Sequence, residues 1–238
     1  MSKILVTGGD GRFAKELKKI KSRYNFIFRN KKQLNILSIR SIKNNIKKFN
    51  PKIILHLAGL SRPMNIHDKM PAKSIDLNII GTANLVNACI KQKKKIIFFS
   101  TSYVYPGTKG NYKENDPLLP WNNYGWSKLG AESAVQMYKN SLIIRACMTE
   151  KPFTHNYAFT NVKSNFIFHD QFAKLFIKLI HLKGIINIGG KSQTIFEFAK
   201  KHNKNIKKKT SKGELPLKMY MNLKRLNSFL KKNENFKN

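Results

Sequence analysis

The chain has 238 residues, enough for one α/β domain with a sizeable core and a small annex. Its 46 Lys and Arg against 12 Asp and Glu give a formal net charge of +34, and its two cysteines, Cys89 and Cys147, sit in no CxxC or Cys/His cluster. The cysteine pattern argues against a disulfide framework and a metal site, and the lack of a run of about 18 apolar residues argues against a membrane span.

The opening MSKILVTGG goes straight into Lys3–Thr7, an apolar strand, followed by a glycine turn over 8–11 and a helix over Arg12–Lys21. That opening leads us to expect no signal peptide and a cytoplasmic protein. Tyr24–Phe28 reads as the second strand, and the basic, amphipathic Ile39–Phe49 as a helix ended near Asn50–Pro51. Lys52–Leu57 is the third strand. Ser74–Gln92 carries Ile75, Ile79, Ala83, Val86 and Ile90 at helical spacing and predicts one continuous helix. Lys95–Ser100 is the fourth strand, Trp121–Asn140 a long helix and Ser141–Arg145 the fifth strand.

Strands alternating with helices predict a Rossmann-type, doubly wound parallel sheet with right-handed crossovers. Beyond Arg145 the pattern loosens. His169–Leu182 reads as a helix, Gly184–Gly190 as a late strand, Thr194–His202 as a short helix, Lys204–Lys212 as an exposed basic loop and Met221–Lys231 as a closing helix.

Thr7–Ala14 reads TGGDGRFA, a Gly8-x-x-Gly11-x-x-Ala14 pattern between strand and helix. Glycines there let the backbone turn tightly and approach a pyrophosphate. The structural alternative is a tight turn with no ligand. The candidate cofactor-binding residues of this turn are Gly8, Asp10, Gly11, Arg12 and Phe13. An acidic residue ending the second strand would bind the ribose 2′-hydroxyl of NAD. This chain has Arg29, followed by Asn30, Lys31 and Lys32, which favours the 2′-phosphate of NADP and leaves NAD as the second choice. Leu57, Ala58 and Gly59, at the end of the third strand, form a further cofactor contact. These readings divide the chain into a dinucleotide-binding domain over 1–146 and a short substrate-binding portion over 147–238, with the strand and helix near 184–203 returning to the main sheet.

Tyr124 and Lys128 are four apart in YGWSK and share one face of a helix. An ammonium nearby favours the phenolate and brings the phenol toward working pH, where it can give or take a proton. Thr101 closes the fourth apolar run and is the first hydroxyl able to face a cleft if that strand ends at Phe99; Ser100 and Ser102 compete for its place. Thr101, Tyr124 and Lys128 are the catalytic candidates, and Tyr124 and Lys128 also count as cofactor contacts. Trp121 and Trp126 read as packing residues, and His56, on an apolar strand, as a buried, satisfied imidazole.

The positive charge alone would fit nucleic acid. The lysines, however, are spread along the chain beside Asn and Ile, which reads as a genome-wide compositional bias, so no specific nucleic-acid partner is expected. Net potential would still draw in an anionic substrate.

These motifs carry a resemblance that runs from Lys3 to about Gly190. TGGDGRFA, HLAG at His56–Gly59, NIIGT at Asn78–Thr82, STSYVYPG at Ser100–Gly107 and YGWSK at Tyr124–Lys128 resemble the extended short-chain dehydrogenases/reductases of the nucleotide-sugar type. STSYVYPGTKG with the acidic-Pro segment at Glu114–Pro117 is most similar to dTDP-4-dehydrorhamnose reductases. The resemblance implies a Thr101/Tyr124/Lys128 trio, NADP, a nucleotide-sugar substrate and the reduction of a 4-keto sugar, and it leaves a homodimer open. The same trio would serve a nucleotide-sugar epimerase, and a non-catalytic nucleotide-binding regulatory subunit is a reading from another class. Ser102–Tyr103 replaces the Asp-Glu that follows the threonine of 4,6-dehydratases, which argues against dehydration. Asn35 stands where the family often has Asp, Ala14 replaces the last glycine, and the portion after Arg145 is short.

Overall fold

The computed structural model describes residues 1–235. Its apolar runs form strands β1 (Ser2–Thr7), β2 (Tyr24–Arg29), β3 (Ile53–His56), β4 (Lys95–Thr101) and β5 (Ser141–Ala146). Between them lie α1 (Arg12–Lys18), α2 (Ile39–Phe49), α3 (Ile66–Lys69), α4 (Pro71–Ser74), a π-helical turn at Ile75–Ile80, α5 (Gly81–Lys91) and α6 (Asn123–Gln136). The rest of the chain forms β6 (Met148–Thr149), β7 (Tyr157–Phe159), β8 (Lys163–Ser164), β9 (Ile167–Phe168), α7 (His169–Leu179), β10 (Gly184–Ile188), β11 (Gln193–Thr194), α8 (Ile195–Lys200), β12 (Lys207–Lys209) and α9 (Lys224–Asn235).

Six strands make one parallel sheet in the order β10-β5-β4-β3-β1-β2. Residues 53–56 of β3 and every residue of β4 and β5 are buried, as strands covered on both faces must be. The chain leaves β1 for β2 on one side and returns to β3 on the other, so the strand order reverses beside β1. Ligands bind at the carboxyl edge of such a switch point. The register there sets Thr7 opposite both Arg29 and His56. Local signals explain the helix ends. Ser38 caps α2 by accepting from the Ser41 N–H, and Asn50, at φ 42°, closes it just before Pro51. Asn122 caps α6 by accepting from Gly125 N.

The described residues form two compact units that interleave in sequence: residues 1–100, 122–143 and 170–184 make the first, and 101–121, 144–169 and 185–235 the second. In the first, Ile4, Leu5, Val6, Ile54, Leu55, Ile96 and Ile97 fill the sheet. Phe13, Phe99, Phe172 and Phe176 form an aromatic cluster, with Phe13 centred 4.8 Å from Phe99 and 5.0 Å from Phe172. In the second, Phe153, Val162, Phe168, Ile195, Phe198 and Met219 make a separate core, with Tyr103 and Trp121 packed against it. The buried Arg145 is held there by Nη1 donating 2.8 Å to Tyr105 Oη and 2.8 Å to the Glu114 carbonyl.

The structure departs from four sequence expectations. The continuous helix over Ser74–Gln92 is broken by the π-helical turn at Ile75–Ile80. The basic loop at Lys204–Lys212 contains β12, which pairs in parallel with β7. Lys209 Nζ lies 4.9 Å from the Tyr157 ring centre, 5.3 Å from that of Phe159 and 3.1 Å from Glu214 Oε1, so two aromatic faces and a carboxylate hold the ammonium. Trp126, expected to pack, is 48% exposed. The closing helix, α9, begins at Lys224 rather than Met221, because Met221 is bridged to Tyr112. Among the described residues no helix is long and apolar enough to cross a membrane.

Candidate functional site

The glycine turn follows β1. Gly8 has φ +67°, and a Cβ there would lie 2.7 Å from Ala58 N, so the backbones of the turn and of the β3 exit touch through the absence of a side chain. Gly9, not among the sequence candidates, is as tightly placed: its N–H donates 2.9 Å to the Arg29 carbonyl, and a Cβ would come within 2.9 Å of Arg29 N. Gly11 N donates 2.9 Å to Gly8 O and closes the turn. Asp10 and Arg12 are exposed, and Asp10 lies 3.9 Å from Lys18 Nζ. The Phe13 side chain sits in the aromatic core, so only its backbone is available to a ligand.

Arg29 ends β2 on the same edge. Its guanidinium lies 5.2 Å from the Phe49 ring centre, and its buried Nε has no hydrogen-bond partner. A buried donor left unpaired costs about 1–3 kcal/mol, which a phosphate oxygen would recover. Asn35 Oδ1 accepts from Leu37 N at 3.0 Å and shapes the following turn. The cradle at Gly8–Gly9 and the orphaned Arg29 Nε fit a bound dinucleotide with an anionic group on its ribose.

A hydrogen-bond chain joins this edge to α6. Thr7 Oγ1 accepts from Leu57 N at 3.2 Å and Ala58 N at 3.1 Å, so its proton is free for His56 Nδ1, 2.8 Å away. That leaves the imidazole protonated at Nε2, which donates 2.9 Å to Thr82 Oγ1, and Thr82 in turn donates 2.5 Å to the Asn78 carbonyl. Burial, helped by the Lys128 charge, lowers His56 to about 3, so it stays neutral; it is the buried, satisfied imidazole expected on that strand. Asn78 Nδ2 donates to Leu60 O at 2.9 Å and Ser127 Oγ at 2.8 Å, while its Oδ1 accepts from Leu60 N at 2.7 Å. Ser127 Oγ donates 2.8 Å to the Tyr124 carbonyl. A Cβ on Gly59 would lie 2.8 Å from Asn78 Oδ1, so a glycine there leaves room for this clamp. Asn78 stood in the sequence as a polar residue inside an apolar helical run, and that mismatch is the signal that marks it.

Tyr124 is half-buried at the head of α6, and Lys128 is buried one turn on. Lys128 Nζ lies 4.0 Å from the Phe98 ring centre. Burial lowers its pKa to about 7 against the pull of Glu132, which lies four residues further along the helix and is fully buried. Thr101 belongs to the second unit, whereas Tyr124 and Lys128 belong to the first. Thr101 is the last residue of β4 rather than the first beyond it. It is buried, and its Oγ1 accepts from Tyr103 N at 3.3 Å, which leaves the hydroxyl proton uncommitted by that contact. Ser100 Oγ is buried with no hydrogen-bond partner. Among the described residues no group of three His, Cys, Asp or Glu could hold a metal ion.

A parallel sheet with this switch point and this glycine turn defines a Rossmann-type fold of the dehydrogenase/reductase class. A model of the RmlD substrate binding domain matches residues 2–165, and the chain belongs to that family. It is 27% identical over 168 residues to the dTDP-4-dehydrorhamnose reductase of Aggregatibacter actinomycetemcomitans, covering 68% of this chain and 57% of that protein. It is 33% identical over 103 residues to methionine adenosyltransferase 2 subunit beta of Pongo abelii, covering 43% of this chain and 30% of that protein. The chain therefore matches about a third to somewhat over half of the length of these curated relatives. The crystal structure of the Bacillus anthracis dTDP-4-dehydrorhamnose reductase, solved in complex with NADP, superposes with a TM-score of 0.86 at 22% identity. That match covers 96% of this chain and 92% of the other. The UDP-Glc/GlcNAc 4-epimerase of Campylobacter jejuni has the same fold, with a TM-score of 0.80 at 18% identity over 96% of this chain and 93% of the other.

Proposed function

We propose that this protein is an NADPH-dependent reductase of a nucleotide-linked 4-keto sugar. The observation that carries the reading is the Tyr124/Lys128 pair: a half-buried phenol and a buried amine one turn apart, on a helix tied through Ser127 and Asn78 to the edge that holds the glycine turn. When bound, the nicotinamide cofactor supplies a hydride to the keto carbon. The backbones of Gly8, Gly11, Ala58 and Gly59 lie along the dinucleotide, and Arg29 takes the 2′-phosphate. Tyr124 gives its phenolic proton to the carbonyl oxygen as that oxygen becomes an alcohol. Lys128 holds the nicotinamide ribose and, when charged, favours the phenolate that remains. The net charge of +34 draws an anionic sugar nucleotide toward the protein.

NADPH oxidation measured against a panel of 4-keto nucleotide sugars tests this reading. Turnover with one of them supports it. The similarity to methionine adenosyltransferase 2 subunit beta favours a second reading, a nucleotide-binding regulatory subunit without turnover of its own. Tight NADPH binding with no oxidation across the panel would favour that alternative. Cofactor that copurifies and does not exchange would favour an epimerase.

A further inference from the structure

His67 lies in α3, in the stretch between the β3 exit and the π-helical turn, and has no part in the hydrogen-bond chain above. It is 1% exposed. Its Nδ1 is 2.6 Å from Ser74 Oγ, which anchors the ring on α4. Its ring centre is 5.1 Å from that of Tyr124, with the planes inclined at 50°, a spacing at which aromatic pairs attract beyond simple burial. The next residue makes a second, independent tie to the same helix: Asp68 Oδ1 accepts from Asn123 Nδ2 at 2.8 Å, one residue before Tyr124. Burial holds His67 below the ordinary histidine range, while the Ser61 backbone and the Asp68 carboxylate pull the other way. A neutral imidazole therefore faces the phenol near neutral pH.

We infer that His67 is a positioning residue for Tyr124, its anchored ring holding the phenol in one orientation at the head of α6. The consequence for turnover rests on the proposed role of Tyr124 as proton donor; the contact itself does not. A phenol free to rotate loses its approach to the carbonyl oxygen, and small misplacements of a reacting group cost rate without weakening binding elsewhere.

Two substitutions separate the ring from its anchor. His67→Phe keeps an aromatic face and loses the bond to Ser74, whereas His67→Asn keeps an amide able to reach Ser74 and loses the ring. In protein labelled with ¹³C-tyrosine, the Tyr124 ring signal is assigned by its disappearance in Tyr124→Phe. It is expected to stay near its wild-type position in His67→Phe and to move toward the shift of a free tyrosine in His67→Asn. In turnover, His67→Asn is expected to lose about 10- to 100-fold in kcat with the KM for NADPH unchanged, and His67→Phe to recover most of that loss. Should His67→Asn fail to fold, His67→Leu, which fills the site without a ring, takes its place and is expected to move the same signal. An unmoved Tyr124 signal in His67→Asn, or in His67→Leu where that stands in, overturns the inference. So does a His67→Phe signal displaced as far as that of His67→Asn. A Tyr124→Phe variant with normal turnover would instead remove the proton-donor reading and leave the spectroscopic result to decide the positioning role.

Discussion

Asn78 Nδ2 donates to Ser127 Oγ across 2.8 Å, joining two residues far apart in sequence, and Ser127 directly precedes Lys128. The same amide satisfies both the N–H and the carbonyl of Leu60, so one side chain fixes the β3 exit against α6. Asn78→Ala leaves those part-buried groups without their partner. Each costs about 1–3 kcal/mol, and thermal unfolding is expected to show a loss of several degrees. Asn78→Asp keeps the acceptor and loses the donors, so it should sit between wild type and Asn78→Ala at neutral pH. An Asn78→Ala protein with the wild-type Tm would show that the clamp contributes nothing.

The glycine turn allows a stringent substitution. Gly8→Ala must hold an L-residue at φ +67° and seat its methyl 2.7 Å from Ala58 N, a backbone atom that cannot swing away. The left-handed conformation alone costs about 1–2 kcal/mol. We expect a lower Tm and NADPH affinity reduced by at least tenfold in a fluorescence titration. Undiminished affinity would place the dinucleotide away from this turn.

Arg29 is expected to decide between cofactors. Loss of a charge-assisted contact costs roughly 1.5–3 kcal/mol, or about 10- to 150-fold in affinity. Arg29→Asp should therefore weaken NADPH by that much while changing NADH little. Equal losses for the two would remove the 2′-phosphate from the account.

Lys128 makes stability depend on pH in a defined direction. Burial lowers its folded pKa from 10.5 to about 7, so between those values the unfolded chain binds more protons than the folded one. Stability from this group is therefore greatest above pH 10.5 and falls as pH drops toward 7. Measured against Lys128→Met in urea, the wild-type protein without cofactor should lose about 2–3 kcal/mol between pH 10 and pH 8. The buried Lys95, lowered to about 8, acts in the same direction but is present in both proteins and cancels. A difference between the two proteins that stays constant across this range would mean that Lys128 remains charged when folded.

The parts of the fold that local chemistry determines were legible in the residues. Strands β1 and β3 to β5 are short apolar runs, and α2 lies between Ser38 and Asn50, residues suited to start and stop a helix. What escaped the sequence depends on partners far along the chain. Asn78 is defined by Leu60 and Ser127, and His67 by Ser74 and Tyr124; no spacing rule connects those positions. The π-helical turn at Ile75–Ile80 was hidden because its isoleucines also fit an ordinary helical period. β12 was hidden because three consecutive lysines favour solvent until the Tyr157 and Phe159 rings are brought beside Lys209. Gly9 falls outside the glycine pattern, which concerns the ligand, because it is required by the neighbouring strand.

In the proposed reaction Tyr124 delivers the proton. Tyr124→Phe removes one oxygen and keeps the ring that meets His67, so the variant should fold and bind NADPH as wild type does. Single-turnover oxidation of bound NADPH by a 4-keto nucleotide sugar, followed by absorbance in wild type and Tyr124→Phe, measures the step itself. The rate is expected to fall by roughly 10²–10⁴-fold, the usual contribution of a positioned acid. A Tyr124→Phe protein that oxidises NADPH at close to the wild-type rate would contradict that role.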